Sequence, residues 1–153
     1  MNFKSIDEIL EFATEREKEA VAFYNTLSKK EQLADLSATF KELAQEEAKH
    51  VKLLTNIAKN KTAVASFKMQ KVDNLKISDY LVDIEYSEGM PMQDILVLAM
   101  KREEKAFKLY TNLAAGSIDE EFTKLFMFLA QEEAKHKLTF EHLYDDYQAG
   151  QGN

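Results

Sequence analysis

The fold class this sequence predicts is all-α: a four-helix bundle whose two halves are joined by one long crossover connection carrying a short helix. Three observations predict it. Only four Gly and one Pro punctuate 153 residues, and Glu, Lys, Ala and Leu, which lose little on entering a helix, dominate the rest. Four long stretches carry apolar residues at helical spacing. Residues 60–90 are too many for a tight turn, and they separate two pairs of closely joined stretches.

The first helix spans about residues 6–29. Ser5 with Glu8 reads as a capping box, and Ile9, Leu10, Ala13, Ala20, Phe23, Tyr24 and Leu27 continue one stripe. Leu36, Phe40, Leu43, Val51, Leu54 and Ile57 place the second at about 33–59. Pro91 follows Gly89 in a first-turn position, and the third helix runs to about 114, with Gly116 as its stop. Ser117 with Glu120 reads as another capping box. The fourth stripe, Phe122, Leu125, Phe126, Leu129, Leu138 and Leu143, continues towards 147, ahead of a loose Gly-Gln-Gly tail. Each pair is thus an antiparallel hairpin, about 6–59 and 91–147. The crossover has room to run back along a helix roughly 35–40 Å long, with Ile77, Tyr80, Leu81 and Ile84 marking its short helix. The length fits a single domain over 1–153.

Composition narrows the chemistry. The chain has no Cys, which removes disulfides, thiolate catalysis and Fe-S clusters, so a bound metal must be held by oxygen and nitrogen. No apolar run approaches the ~18 residues of a membrane span, and no signal-like segment opens the chain, so a cytoplasmic protein without membrane contact is expected. A net charge of -7 repels phosphate backbones, so nucleic acid is not an expected partner.

The octapeptide LAQEEAKH occurs at 43–50 and again at 129–136. The same offset of 86 residues places Arg16 on Arg102, Glu17 on Glu103, Ala20 on Ala106, Tyr24 on Tyr110 and Leu27 on Leu113. Each hairpin therefore supplies a lone Glu on its first helix and Glu-x-x-His on its second. These are Glu17 with Glu47 and His50, then Glu103 with Glu133 and His136. Helical phase turns all six inward. Glu17 lies four after Ala13 and seven before Tyr24, and Glu47 and His50 lie four and seven after Leu43, so both sets interrupt an apolar face. Carboxylates in an apolar seam are expensive unless opposite charge compensates them. Two divalent ions do so, since their +4 balances four carboxylates with two neutral imidazoles. Oxygen and imidazole nitrogen suit iron or manganese and also accept zinc.

Other residues admit two readings. Tyr24 and Tyr110 either hydrogen-bond a ligating carboxylate or pack in the core with satisfied hydroxyls. Glu46 and Glu132 point about 100° from the ligand face, at a solvated edge or in support of the ligands. FTKLFMFLA (122–130) reads as core or dimer seam. His142, six residues beyond His136, reads as a surface histidine; Glu85 and Glu88 read as solvated, and Met69, Met90, Met92 and Met100 as packing residues.

EREKEAVAFY, KREEKAFKLY and the two QEEAKH motifs resemble the ferritin-like diiron-carboxylate superfamily, and within it the rubrerythrin-like branch. The resemblance covers both hairpins. It implies a ferritin-like bundle holding two iron ions without haem, with Glu17 and Glu103 as terminal ligands, Glu47 and Glu133 as bridging carboxylates, and His50 and His136 one on each metal. Rubrerythrins reduce hydrogen peroxide at such a site. This chain differs from them in lacking the Cys of a rubredoxin domain and in carrying Ala106 where they have an additional carboxylate.

The expected function is a diiron oxidoreductase acting on peroxide or O2, supplied by an electron donor that the chain does not name. A ferroxidase or iron-handling protein of ferritin type is the first alternative, and a structural bundle without turnover the second. The resemblance, with the Phe-rich fourth helix as an apolar seam, adds the expectation of a homodimer.

Overall fold

The computed structural model describes residues 5–60 and 84–151. These residues are helical almost throughout and divide into two compact units, a hairpin within 5–60 and a hairpin within 84–151. No helix among the described residues is long and apolar enough to cross a membrane.

In the first hairpin, α1 (Ile6–Ser28) starts where the sequence places it. The Ser5 side chain accepts from the Glu8 backbone N–H at 3.2 Å, satisfying one of the donors that a helix start leaves open. The return helix α2 (Ser37–Lys59) begins later than the expected 33. A 3-10 turn, Glu31–Leu36, precedes it, because Leu33 leaves helical geometry (φ -111°, ψ 20°) and buries its side chain completely. The two helices are stitched at the turn by the Ser37 hydroxyl, which donates to the Ser28 carbonyl at 2.7 Å. Ile9, Leu10, Ala13, Leu27, Phe40 and Leu54 form the core of this unit.

In the second hairpin, α3 (Met92–Gly116) takes Pro91 as its N-cap, in extended conformation (ψ 151°), and not as a first-turn residue. Gly89, at φ +81°, closes the turn in which the Met90 N–H donates to the Ser87 carbonyl, a backbone position that favours Gly. Gly116 is the last residue of α3, and it carries no positive φ. The return helix α4 (Glu120–Gln151) is capped by Asp119 and not by Ser117. The Asp119 carboxylate accepts from the Phe122 N–H at 3.1 Å, while the Ser117 hydroxyl accepts from the Asp119 N–H at 3.3 Å and holds that cap in place.

The fourth helix also runs past 147 and through Gly150, so the expected tail is helical to Gln151. Leu138 leaves the core: nine residues after Leu129 is half a turn round, so Leu138 is exposed and Phe140 takes the buried position. The short crossover helix at Ile77–Ile84 lies, apart from its end, outside the described residues, and so does Met69. Ile84 itself is non-helical and exposed.

Candidate metal centre

α1 carries Glu17 to the inner side of the first hairpin, flanked by Ala13 and Tyr24, and α2 brings Glu47 and His50 one turn apart to meet it. All three are buried, at 3%, 0% and 5% exposure. His50 Nδ1 lies 3.6 Å from Glu17 Oε1 and 3.5 Å from Glu47 Oε2. The second hairpin repeats the arrangement. Glu103 on α3 meets Glu133 and His136 on α4, with His136 Nδ1 3.6 Å from Glu103 Oε2 and 3.8 Å from Glu133 Oε2. Within each hairpin the three ligand atoms lie within 4.8 Å of one another.

These distances exceed those of good hydrogen bonds and sit close to the spacing of donors around one cation. Ligands at about 2.1 Å from a metal stand roughly 3.0–3.4 Å apart in octahedral or tetrahedral geometry. The donor set therefore fits a divalent first-row metal, with Nδ1 of each His on the metal side and Nε2 on the opposite edge of the ring, where an outer acceptor can hold it.

The electrostatics point the same way. The Glu17 carboxyl is pushed up from 4.5 to about 8, first by burial and then by the adjacent Glu47 carboxylate, with His50 working in the opposite direction. A carboxylate this reluctant to ionise is held in an environment that lacks positive charge. A cation supplies it.

The surrounding residues sort themselves by burial. Tyr24 and Tyr110 are fully buried, each stacked on a phenylalanine: Tyr24 on Phe40 at 6.4 Å and 15°, Tyr110 on Phe126 at 6.4 Å and 17°. Phe40 and Phe126 stand 86 residues apart, so the sequence offset that reveals the ligands also marks the aromatic wall behind them. Sequence reasoning saw these two phenylalanines only as stripe residues. Glu46 and Glu132 are half-buried, and Glu132 pairs with Lys135 at 3.1 Å on the outer side. His142, Glu85 and Glu88 are exposed, and Met90, Met92 and Met100 are half-buried. The run 122–130 divides: Phe122, Phe126, Leu129 and Ala130 are core, whereas Met127 and Phe128 face out.

Comparison with solved structures finds two similar chains. One, from Thermotoga maritima and described as a ferritin-like diiron-carboxylate protein, has a TM-score of 0.75 at 19% identity, covering 96% of this chain and 99% of its own. The other, a hypothetical protein from Pyrococcus furiosus, has a TM-score of 0.69 at 27% identity, covering 92% of this chain and 89% of its own. The likeness shows the ferritin-like helical bundle. No curated protein sequence matches the chain. The rubrerythrin family model matches residues 8–144, a span that takes in most of both hairpins and all six candidate ligands. With that span and the paired Glu-Glu-His clusters, the chain belongs to the rubrerythrin family.

Proposed function

We propose that Glu17, Glu47, His50, Glu103, Glu133 and His136 serve one pair of iron ions, and that the protein is a diiron oxidoreductase acting on peroxide or O2. One observation carries this reading: two buried Glu-Glu-His clusters of matching geometry, related by a constant offset, in a member of the rubrerythrin family. Four carboxylates balance two divalent ions, and six protein ligands leave coordination positions for a small oxidant. When bound, ferrous iron supplies the two electrons that take peroxide, with two protons, to two waters, or that begin the reduction of O2.

The chain's own residues shape the setting. To hold a metal through the Nδ1 that faces the carboxylates, His50 and His136 would need the neutral ring with its proton on Nε2. Glu17 keeps a proton to about pH 8 when no metal is present, so loading at neutral pH releases that proton. Tyr24 on Phe40 and Tyr110 on Phe126 pack as buried ring pairs on the same helices that carry the clusters.

Stopped-flow mixing of the ferrous protein with peroxide and, separately, with O2 tests the reading. Ferric absorption that develops much faster than oxidation of free iron is expected. Faster reaction with peroxide supports a peroxidase; faster reaction with O2 moves the assignment to a ferroxidase or oxidase. Oxidation no faster than that of free iron with both oxidants defeats it.

A further inference from the structure

On α4 the row that carries Glu133 and His136 continues past them. His136, Phe140, Tyr144 and Tyr147 follow one another at spacings of four, four and three. At about 100° per residue they share a sector of about 80°, so each side chain neighbours the next. His136 and Phe140 are buried, whereas Tyr144 and Tyr147 are half-buried. The row thus leads from a candidate ligand, through a closed core position, to two phenols partly open to solvent. Tyr144 stands about 12 Å from His136 along the helix axis.

The internal repeat provides a control for how unusual this is. At an offset of 86, Phe140, Tyr144 and Tyr147 correspond to Leu54, Ala58 and Lys61. Leu54 is as completely buried as Phe140, so packing does not require an aromatic ring there. Helix α2 ends at Lys59, whereas α4 continues beyond the counterpart residue, Asp145, to Gln151. The asymmetry extends past this row. Among the described residues, the first hairpin holds Tyr24 as its single tyrosine and no Met, while the second holds Tyr86, Tyr110, Tyr144 and Tyr147 and every Met. In a chain without Cys or Trp, tyrosine and methionine are the side chains most readily oxidised. They are gathered in one of two otherwise matching hairpins.

The chemistry of peroxide gives such a row a use. Peroxide takes up two electrons and two protons to become two waters. Where a single ferrous ion supplies one electron, a phenol can supply the other: it loses one electron and its hydroxyl proton, the solvent gives the second proton, and a neutral phenoxyl radical remains. Where that radical rests depends on the proton. Tyr24 and Tyr110 are fully buried, so each can pass its proton only to a neighbouring group, from which it returns. Tyr144 and Tyr147 can pass theirs to water, and their oxidation is the one that persists. An oxidising equivalent held there is also kept from Met100, half-buried one turn from Glu103, whose thioether would gain an oxygen and turn polar.

We propose that Tyr144 and Tyr147 are one-electron donors to the metal centre, and that the row His136, Phe140, Tyr144, Tyr147 draws an unmatched oxidising equivalent out through the second hairpin. This rests on the diiron reading, so ferric absorption and the radical are measured on the same sample. Full-length protein is loaded anaerobically with ferrous iron in amounts too small to fill both positions, mixed with hydrogen peroxide and frozen for electron paramagnetic resonance. Ferric absorption is expected together with a phenoxyl signal that narrows when the tyrosines are ring-deuterated, and zinc-loaded protein is expected to give neither. Tyr144→Phe with Tyr147→Phe is expected to lose the phenoxyl signal while ferric absorption still develops and helicity and iron content hold. Tyr110→Phe is expected to keep it.

A nitroso spin trap followed by peptide mapping puts the same question to the unaltered chain, with the adduct expected on Tyr144 or Tyr147. Ferric absorption without a phenoxyl signal overturns this inference and leaves the diiron reading standing, whereas absence of ferric absorption removes both. A signal that survives the Tyr144→Phe, Tyr147→Phe substitution, a signal lost in Tyr110→Phe, or an adduct on Tyr24 or Tyr86 in place of the α4 pair also overturns it.

Discussion

In the hairpin of residues 5–60 a buried histidine faces two buried carboxylates, and a tyrosine stacks on a phenylalanine behind them; in the hairpin of residues 84–151 each of these groups has a counterpart 86 positions on. The geometry repeats with the residues: the His-to-Glu distances are 3.6 and 3.5 Å in one and 3.6 and 3.8 Å in the other. Away from these clusters the likeness ends. Leu33 in the first connection is buried and cannot cap, so a 3-10 turn delays α2. Asp119, at the same place in the repeat, caps α4 directly. Lys41 and Glu42 on one outer face become Met127 and Phe128 on the other. Close packing and the cost of burying carboxylates constrain the inner rows to be alike, and the turns and outer faces are left free to follow other demands.

If the inner rows are equivalent, equal damage must cost equally. Phe40→Ala and Phe126→Ala each remove a fully buried ring stacked on a tyrosine. Each is expected to lower stability by about 3–5 kcal/mol in denaturant unfolding. Costs that differ by more than about 2 kcal/mol would break the equivalence of the two interiors.

The next largest effect lies in the pH dependence of the metal-free protein. The folded Glu17 carboxyl keeps its proton to about pH 8, whereas the unfolded one releases it near 4.5. Across that window the folded chain binds more protons, so metal-free stability is full below about pH 4.5 and falls as pH rises to 8. The expected loss from this group is on the order of a few kcal/mol. Glu17→Gln, which cannot ionise, is expected to flatten the decline in melts taken between pH 5 and 8. An unchanged slope would show that Glu17 is not the group that titrates. Metal takes the place of the proton, so loading is expected to stabilise most near and above neutral pH and little below about pH 4.

Asp119→Ala sharpens the contrast between the two turns. Loss of the cap is expected to cost about 1 kcal/mol. Ser117→Ala, which removes only the support of that cap, is expected to cost less, and a larger loss from Ser117 would return the capping role to it.

The Glu-Glu-His clusters were legible in the sequence because two independent periodicities agree there. The offset of 86 aligns residue types, and the 3.6-residue period places Glu17, Glu47, His50 and their counterparts on apolar stripes. Helix ends were less legible, since Ser117 and Asp119 both carry capping side chains and only backbone geometry chooses between them. Leu33 reads as one more helical leucine, because its departure into a 3-10 turn leaves no mark in an apolar pattern. Leu138 shows how a stripe misleads near its end: membership has to be counted in hundreds of degrees, and nine residues is the wrong face. FTKLFMFLA could not be divided into core and surface by composition, because both faces of that segment are apolar and only its packing against α3 separates Phe126 from Phe128.

Metal content bears most directly on the claim that the two clusters serve one pair of ions. Protein reconstituted anaerobically with ferrous iron, freed of excess metal and submitted to elemental analysis is expected to hold close to two irons per chain, with His142→Ala unchanged. In Glu47→Ala, occupancy is expected to fall towards zero at both positions on the proposal that this carboxylate serves both ions. Wild-type stoichiometry near zero would contradict the metal centre itself, and Glu47→Ala retaining one tightly bound iron would show two independent sites in place of a pair.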